Sequence, residues 1–123
     1  MKKYVLIVSH GSREKSANIE FKRLVGKYRS RHPGWRVSHA FLDLVSPSIP
    51  EALETIVRSG KAKEILVLPY FLFAARHVKK DIPEILKTFR RKHPEIKVRM
   101  AKPLGSDSKL LDILDQRLSE AKA

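Results

Sequence analysis

The chain has 123 residues, 42% of them apolar, which suits one packed domain spanning 1–123 and excludes a disordered segment. Lys and Arg number 26 against 13 Asp and Glu, so the formal net charge is +13, a field that attracts anions. Cysteine is absent, which excludes a disulfide framework, a Cys-ligated zinc or iron–sulfur centre and a thiol nucleophile.

Tyr4-Val-Leu-Ile-Val8 is a continuous apolar run rich in β-branched residues, the pattern of a strand covered on both faces. Ser9 to Arg13 follows as a polar turn. From Glu14 to Arg31, the residues Ala17, Phe21, Leu24, Val25 and Tyr28 recur at helical spacing, and His32-Pro33-Gly34 ends that helix. Arg36 to Leu42 alternates, with Val37, His39 and Phe41 on one side, as an edge strand does. After the loop from Asp43 to Pro47, Ser48-Ile49-Pro50-Glu51 has the form of a capping box. The helix it opens carries Leu53, Ile56 and Val57 and ends near Gly60. Ile65 to Leu68 is a second apolar strand, followed by a long, mostly apolar connection from Pro69 to Val78. Asp81-Ile82-Pro83-Glu84 repeats the capping signature, predicting a helix capped by Asp81 with Ile85, Leu86 and Phe89 in its stripe and a stop at His93-Pro94. Ile96, Val98 and Met100 alternate as another edge strand. A last helix carries Leu110, Leu111, Leu114 and Leu118. No apolar run is long enough to cross a bilayer, and Met1-Lys2-Lys3 leads into no signal-peptide core, so a soluble cytoplasmic protein is expected.

The order is β-α-β-α-β-α-β-α. Strands separated by helices pair in parallel through crossovers, so the fold class is α/β with a four-stranded parallel sheet. The two apolar strands belong in the centre and the two alternating ones at the edges. Right-handed crossovers then give the order 2-1-3-4, with helices on both faces. The pattern His32-Pro33…Val37 recurs as His93-Pro94…Val98, as similar helix-to-strand units would produce.

In an open parallel sheet, ligands bind beyond the carboxyl ends of the strands, where the strand order reverses. The loops at that point each carry one histidine, His10 and His77, and Asp43 follows the second strand on the same edge. His32 and His93 precede proline at helix ends, where imidazole complements the dipole. His39 is in phase with Val37 and Phe41 and reads as part-buried. No H-x-H, H-E-x-x-H or EF-hand pattern encodes a closed metal site. Two histidines with one carboxylate make an open site, suited to a metal that is passed on. Dinucleotide and P-loop fingerprints are absent, as is a G-x-S-x-G elbow, so no cofactor is expected beyond a metal ion.

Three segments carry a resemblance: Ser9-His10-Gly11-Ser12-Arg13, Phe41-Leu42-Asp43-Leu44 leading to Pro47-Ser48-Ile49-Pro50, and Pro69-Tyr70-Phe71-Leu72-Phe73-Ala74-Ala75-Arg76-His77-Val78. Together they resemble the short-form sirohydrochlorin cobaltochelatases, single-domain members of the class II chelatase superfamily. The resemblance covers essentially the whole chain and extends to Pro103-Leu104-Gly105. It implies a flavodoxin-like, chelatase-like fold and insertion of Co2+ into sirohydrochlorin or a precorrin-2-level tetrapyrrole in cobalamin biosynthesis. It implies that His10 and His77 are the catalytic and metal-binding pair, with Asp43 as a candidate third ligand where members often carry Glu. Ala75 stands where Gly is common. Around the pair, Ser9, Gly11, Ser12, Arg13, Phe73, Arg76 and Lys79 are the expected substrate contacts. The resemblance also implies that related nickel chelatases often have a His-rich insertion, which is missing here and favours cobalt; nickel or iron insertion by the same site is the nearest alternative.

An anionic tetrapyrrole gives the basic surface a partner. A nucleic-acid-binding domain is the rival, but it needs basic residues on one face with aromatics between them, and the sequence does not show that. The resemblance adds that longer class II chelatases carry two such domains facing each other across the active site, so a homodimer is expected for a single domain.

Overall fold

An uninterrupted apolar run is stable in a sheet only where both faces are covered, and that requirement sorts the strands. In the computed structural model, which describes residues 3–122, β1 (Tyr4–Ser9), β2 (Arg36–Phe41), β3 (Glu64–Pro69) and β4 (Lys97–Met100) form one parallel sheet. Their order is β2-β1-β3-β4, as expected: the apolar strands are central and the alternating ones are edges. Val5 lies opposite Val37 and Leu66, and Ile7 opposite His39 and Leu68. A slip of one residue would turn every side chain to the wrong face.

Successive residues point to opposite faces, and this splits the core in two. On one face Leu6, Val8, Ile65 and Val67 pack against α2 (Ile49–Arg58) and α3 (Ile82–Lys92) through Leu53, Ile56, Leu86 and Phe89. On the other, Val5, Ile7, Val37 and Phe41 pack against α1 (Lys15–Arg31) through Phe21 and Val25. The capping box at α2 forms as read. Ser48 Oγ accepts from the Glu51 amide at 3.2 Å, and Glu51 Oε1 accepts from the Ser48 amide at 2.7 Å. Those bonds, the amide one first, hold the Glu51 carboxyl below its ordinary range.

The recurring His-Pro pattern has a structural counterpart. Arg29 Nε donates to the Val37 carbonyl at 3.1 Å, and Arg90 Nη2 donates to the Val98 carbonyl at 2.7 Å. Each arginine, three residues before its His-Pro, bonds an edge-strand carbonyl with its side chain, which charges and blunts that edge. The two histidines at these helix ends also find partners of their own. His32 stacks on Trp35 with ring centroids 3.7 Å apart, and His93 Nε2 lies 2.7 Å from Glu54 Oε1.

Two expectations are corrected. Asp81 does not cap α3: its backbone is helical (φ −64°, ψ −50°) and its side chain makes no capping bond. The chain is already turning at His77, in a π-turn His77–Asp81 where the Ile82 amide reaches back to the His77 carbonyl. The second correction is α4 (Ser108–Lys122). Its leucine stripe covers neither face, and none of its described residues is buried. The helices that cover the two faces are therefore α1 on one side and α2 with α3 on the other.

Candidate active site

The loops that leave β1, β2 and β3 meet at the carboxyl ends of the strands. His10 is the first residue after β1. The Asp43 amide donates to the His10 carbonyl at 2.9 Å, and the Leu42 amide donates to the Ser9 carbonyl at 2.8 Å, so the β2 loop is stitched to the β1 loop. Gly11 sits between them with φ +92°. A Cβ there would overlap the Asp43 carbonyl oxygen, so the approach of the two loops requires glycine. Asn18, in the first turns of α1, clasps the same loop. Its Oδ1 accepts from the Ser12 amide at 3.0 Å, and its Nδ2 donates to the Ser12 carbonyl at 2.7 Å. Ser12 Oγ accepts from the Glu14 amide at 3.0 Å, so the serine's polar atoms are used within the loop.

His77 arrives from the β3 side, and the imidazoles of His10 and His77 stand with centroids 4.8 Å apart at 59°. Each ring has one nitrogen engaged. His10 Nδ1 lies 2.9 Å from the Gly11 carbonyl, and His77 Nδ1 lies 2.7 Å from Asp81 Oδ2. A carbonyl or carboxylate can only accept, so in the neutral rings Nδ1 carries the hydrogen in both cases. Both Nε2 lone pairs are then free to bind a metal or accept a proton. The turn His77–Asp81 sets the residue read as a helix cap beside the imidazole four positions earlier, the spacing of neighbours on a helical face. A sequence signal for Asp81 existed in the His-x-x-x-Asp spacing of a helical turn, and the Asp-Ile-Pro-Glu capping pattern masked it.

The remaining expected contacts divide. Ser9, Gly11 and Ser12 are half-buried in the β1 loop, whereas Arg13, Arg76 and Lys79 are exposed beside it. Phe73 is 65% exposed, a large ring held out to solvent. Phe71 is instead half-buried, packed on the core and 6.3 Å from the His77 ring. The Leu104 and Gly105 amides donate to the Phe71 and Leu72 carbonyls, which fixes this loop from the β4 side. Asp43 is exposed, and its Oδ1 accepts from the Leu44 amide at 2.8 Å. Among the described residues, no three His, Cys, Asp or Glu side chains surround one point as a closed metal site would need. His39 stays away from the site, half-buried with its ring edge-on to Phe21 and Phe41. Burial, then Lys22 and Arg29, holds its imidazole below the ordinary value. Among the described residues, no helix is long and apolar enough to cross a membrane.

Comparisons with known proteins point the same way. Sirohydrochlorin cobaltochelatase of Saccharolobus solfataricus is 33% identical over 125 residues, covering 94% of this chain and 93% of that protein. The chloroplastic sirohydrochlorin ferrochelatase of Arabidopsis thaliana is 32% identical over 114 residues, covering 93% of this chain. The chain spans half of that relative's length, 50%. Among solved structures, the sirohydrochlorin chelatase SirB of Bacillus subtilis subspecies spizizenii, in complex with cobalt, superposes with a TM-score of 0.91 at 32% identity. The match covers 98% of this chain and 51% of that one. The family model CbiX matches residues 4–121, and with that match over this sheet and these two loops the chain belongs to the CbiX family.

Proposed function

We propose that this chain is a cytoplasmic metal chelatase that inserts Co2+ into sirohydrochlorin or a closely related anionic tetrapyrrole. The observation that carries the reading is the pair of imidazoles at the strand-order reversal, each with Nδ1 engaged and Nε2 free. The near full-length match to a protein named as a cobaltochelatase supports the choice of metal and substrate.

The reaction exchanges ligands and leaves oxidation states unchanged. A divalent metal enters the macrocycle, two pyrrole N–H protons leave, and neither a nucleotide nor a redox partner is consumed. His10 and His77 hold the incoming metal through Nε2 and release it to the four ring nitrogens. One imidazole, once free of metal, accepts one pyrrole proton, and the other passes to solvent. Asp43, on the neighbouring loop, is the candidate third ligand, although its Oδ1 is engaged by the Leu44 amide in this structure. Arg13, Arg76 and Lys79 attract the substrate's carboxylates, and Phe73 offers an apolar surface to the macrocycle. Two copies of the chain face each other, because the longer relatives hold about twice this length in one chain.

The test is spectroscopic. Sirohydrochlorin is mixed with Co2+ with and without protein, and metal insertion is followed by its visible spectrum. Protein should accelerate insertion well above the free rate, and raised salt should raise the apparent KM more than it lowers kcat. An unchanged rate overturns the reading. Iron is the second metal to try, since the Arabidopsis relative is named as a ferrochelatase. Faster insertion of Fe2+ than of Co2+ keeps the site and replaces the metal.

A further inference from the structure

Each strand of the sheet begins on a cation. In the spatial order β2-β1-β3-β4, Arg36, Lys3, Lys63 and Lys97 stand at the amino ends, each as the first residue of its strand or the one before it. Backbone bonds hold them in one row. The Arg36 amide donates to the Lys3 carbonyl at 2.7 Å, and the Lys97 amide donates to the Lys63 carbonyl at 2.9 Å. Strands lie about 4.8 Å apart, so the row is about 14 Å long. All four residues are exposed, and among the described residues none of them enters an ion pair.

The carboxylates nearest the row are engaged elsewhere. Glu64 Oε2 lies 3.2 Å from Arg99 Nε, and Glu95 Oε2 lies 3.7 Å from His93 Nδ1. Arg31, Arg58 and Lys92 end their helices at the same pole, where the helix dipole accounts for them. The strand cations have no such account, because the net dipole of a sheet is small. Like charges held side by side repel, and an anion from outside the chain relieves that repulsion. The substrate proposed above is not that anion. β1 has six residues and carries the chain about 20 Å from Lys3 to His10, so the row and the imidazoles lie at opposite ends of the sheet.

The surroundings of the row choose the class of partner. Residues 31–35, 58–63 and 92–96 frame it, and they contribute none of the large exposed apolar side chains, which lie on α1, α4 and the loops at the carboxyl end. A protein interface has an apolar core and is poor in lysine, whereas a surface for nucleic acid is polar and positive. Trp35, beside the row, is stacked on His32 with centroids 3.7 Å apart and has Lys3 Nζ over its ring at 4.3 Å. An unpaired base finds no open face on it, so the contact left is to phosphates, as a duplex presents them.

We propose that the row of Arg36, Lys3, Lys63 and Lys97 binds the phosphate backbone of double-stranded nucleic acid, without regard to sequence. The sequence scatters these cations along the chain, and the parallel sheet aligns them. The inference stands apart from the reading of His10 and His77.

The test follows the fluorescence anisotropy of a labelled, mixed-sequence DNA duplex as the full chain is added, over a series of salt concentrations. Neutralising four phosphates gives a slope of about −3.6 in log K against log salt. Arg36→Gln, Lys3→Gln, Lys63→Gln and Lys97→Gln should each make that slope shallower by about 1. The four together should weaken binding at least about 100-fold at about 0.1 M salt. The single-variant slopes stand even where the fourfold variant unfolds. Arg13→Gln/Arg76→Gln/Lys79→Gln/Lys80→Gln removes the same charge from the other end and should leave the affinity within about threefold, since that end lies beyond the screening length. Equal weakening by the two fourfold sets overturns the proposal, because net charge and not the row then does the binding. Binding weaker than about 100 μM at about 0.1 M salt overturns it too. Vesicles of phosphatidylserine and phosphatidylcholine are the last probe. Row-dependent capture by vesicles without duplex binding replaces nucleic acid by a membrane surface and rejects the proposal.

Discussion

Two imidazole–carboxylate pairs in this molecule have the same bond length and different surroundings. His77 Nδ1 and Asp81 Oδ2 are 2.7 Å apart, as are His93 Nε2 and Glu54 Oε1. The first pair closes one turn at the carboxyl ends of the strands, and its imidazole, 44% exposed, faces His10. The second ties the end of α3 back to α2, with His93 only 17% exposed and its other nitrogen 3.7 Å from Glu95. Carboxylates thus face both nitrogens of His93, while His77 keeps one free. A short bond to a carboxylate therefore does not distinguish a working histidine from a structural one. What His77 has and His93 lacks is a free nitrogen at the strand-order reversal, and the proposed function rests on that difference.

The contrast is sharpest when each histidine is removed. His10→Ala or His77→Ala should lower the insertion rate by at least about 100-fold, the scale of a lost acid–base group, with little change in Tm. His93→Ala should lower Tm and leave the rate per folded molecule near wild type. Both are read from an insertion assay beside a thermal melt, and a swap of the two outcomes would break the comparison.

Asp81 sets the next scale. A carboxylate that orients a metal-binding imidazole is worth about 10–100-fold in affinity or activity. Asp81→Ala should lose that much in Co2+ affinity, measured by the metal's absorption. Asp81→Asn, whose amide oxygen still accepts from Nδ1, should recover most of it. Equal losses in the two variants would mean that charge, and not ring orientation, is what Asp81 supplies.

Gly11→Ala attacks the loop and not the ring. The added Cβ meets the Asp43 carbonyl, and the residue must hold a positive φ, a strain of about 1–3 kcal/mol. Lower stability should appear together with slower insertion, because the displaced segment carries His10. Normal kinetics in a stable Ala variant would show that the β1–β2 stitch does not position the site.

The smallest effect belongs to Glu54. The hydrogen bond from His93 holds its carboxyl below the usual 4.5. Between that lowered value and 4.5 the unfolded chain binds more protons, so the contribution is complete above about pH 4.5. It is lost as the pH falls through the folded value. The Tm advantage of wild type over Glu54→Gln should shrink over that acid range, and an advantage that grows there would contradict the assignment.

Much of this was legible in the residues. Tyr4 to Val8 and Ile65 to Leu68 lack a polar side, which placed them in the centre of the sheet, and the alternation at Val37 and Val98 placed the edges. With the strand order came the reversal point, and with it His10 and His77. Asp81 was misread because Asp before Ile-Pro-Glu satisfies the local chemistry of a cap. Only the turn geometry shows that its carboxylate is taken by His77. Asn18 and its clasp on Ser12 carried no sequence signal beyond an Asn early in a helix.

What the sequence determined by itself is what depends on periodicity and local stereochemistry: the element order, the central and edge strands and the capping box at Ser48. Tertiary structure alone decided which nitrogen of each imidazole is free, which carboxylate holds His77 and where the stripe of α4 lies. Those outcomes depend on which groups meet across the folded chain. Hydrophobic periodicity specifies that a face must be covered, without specifying by what.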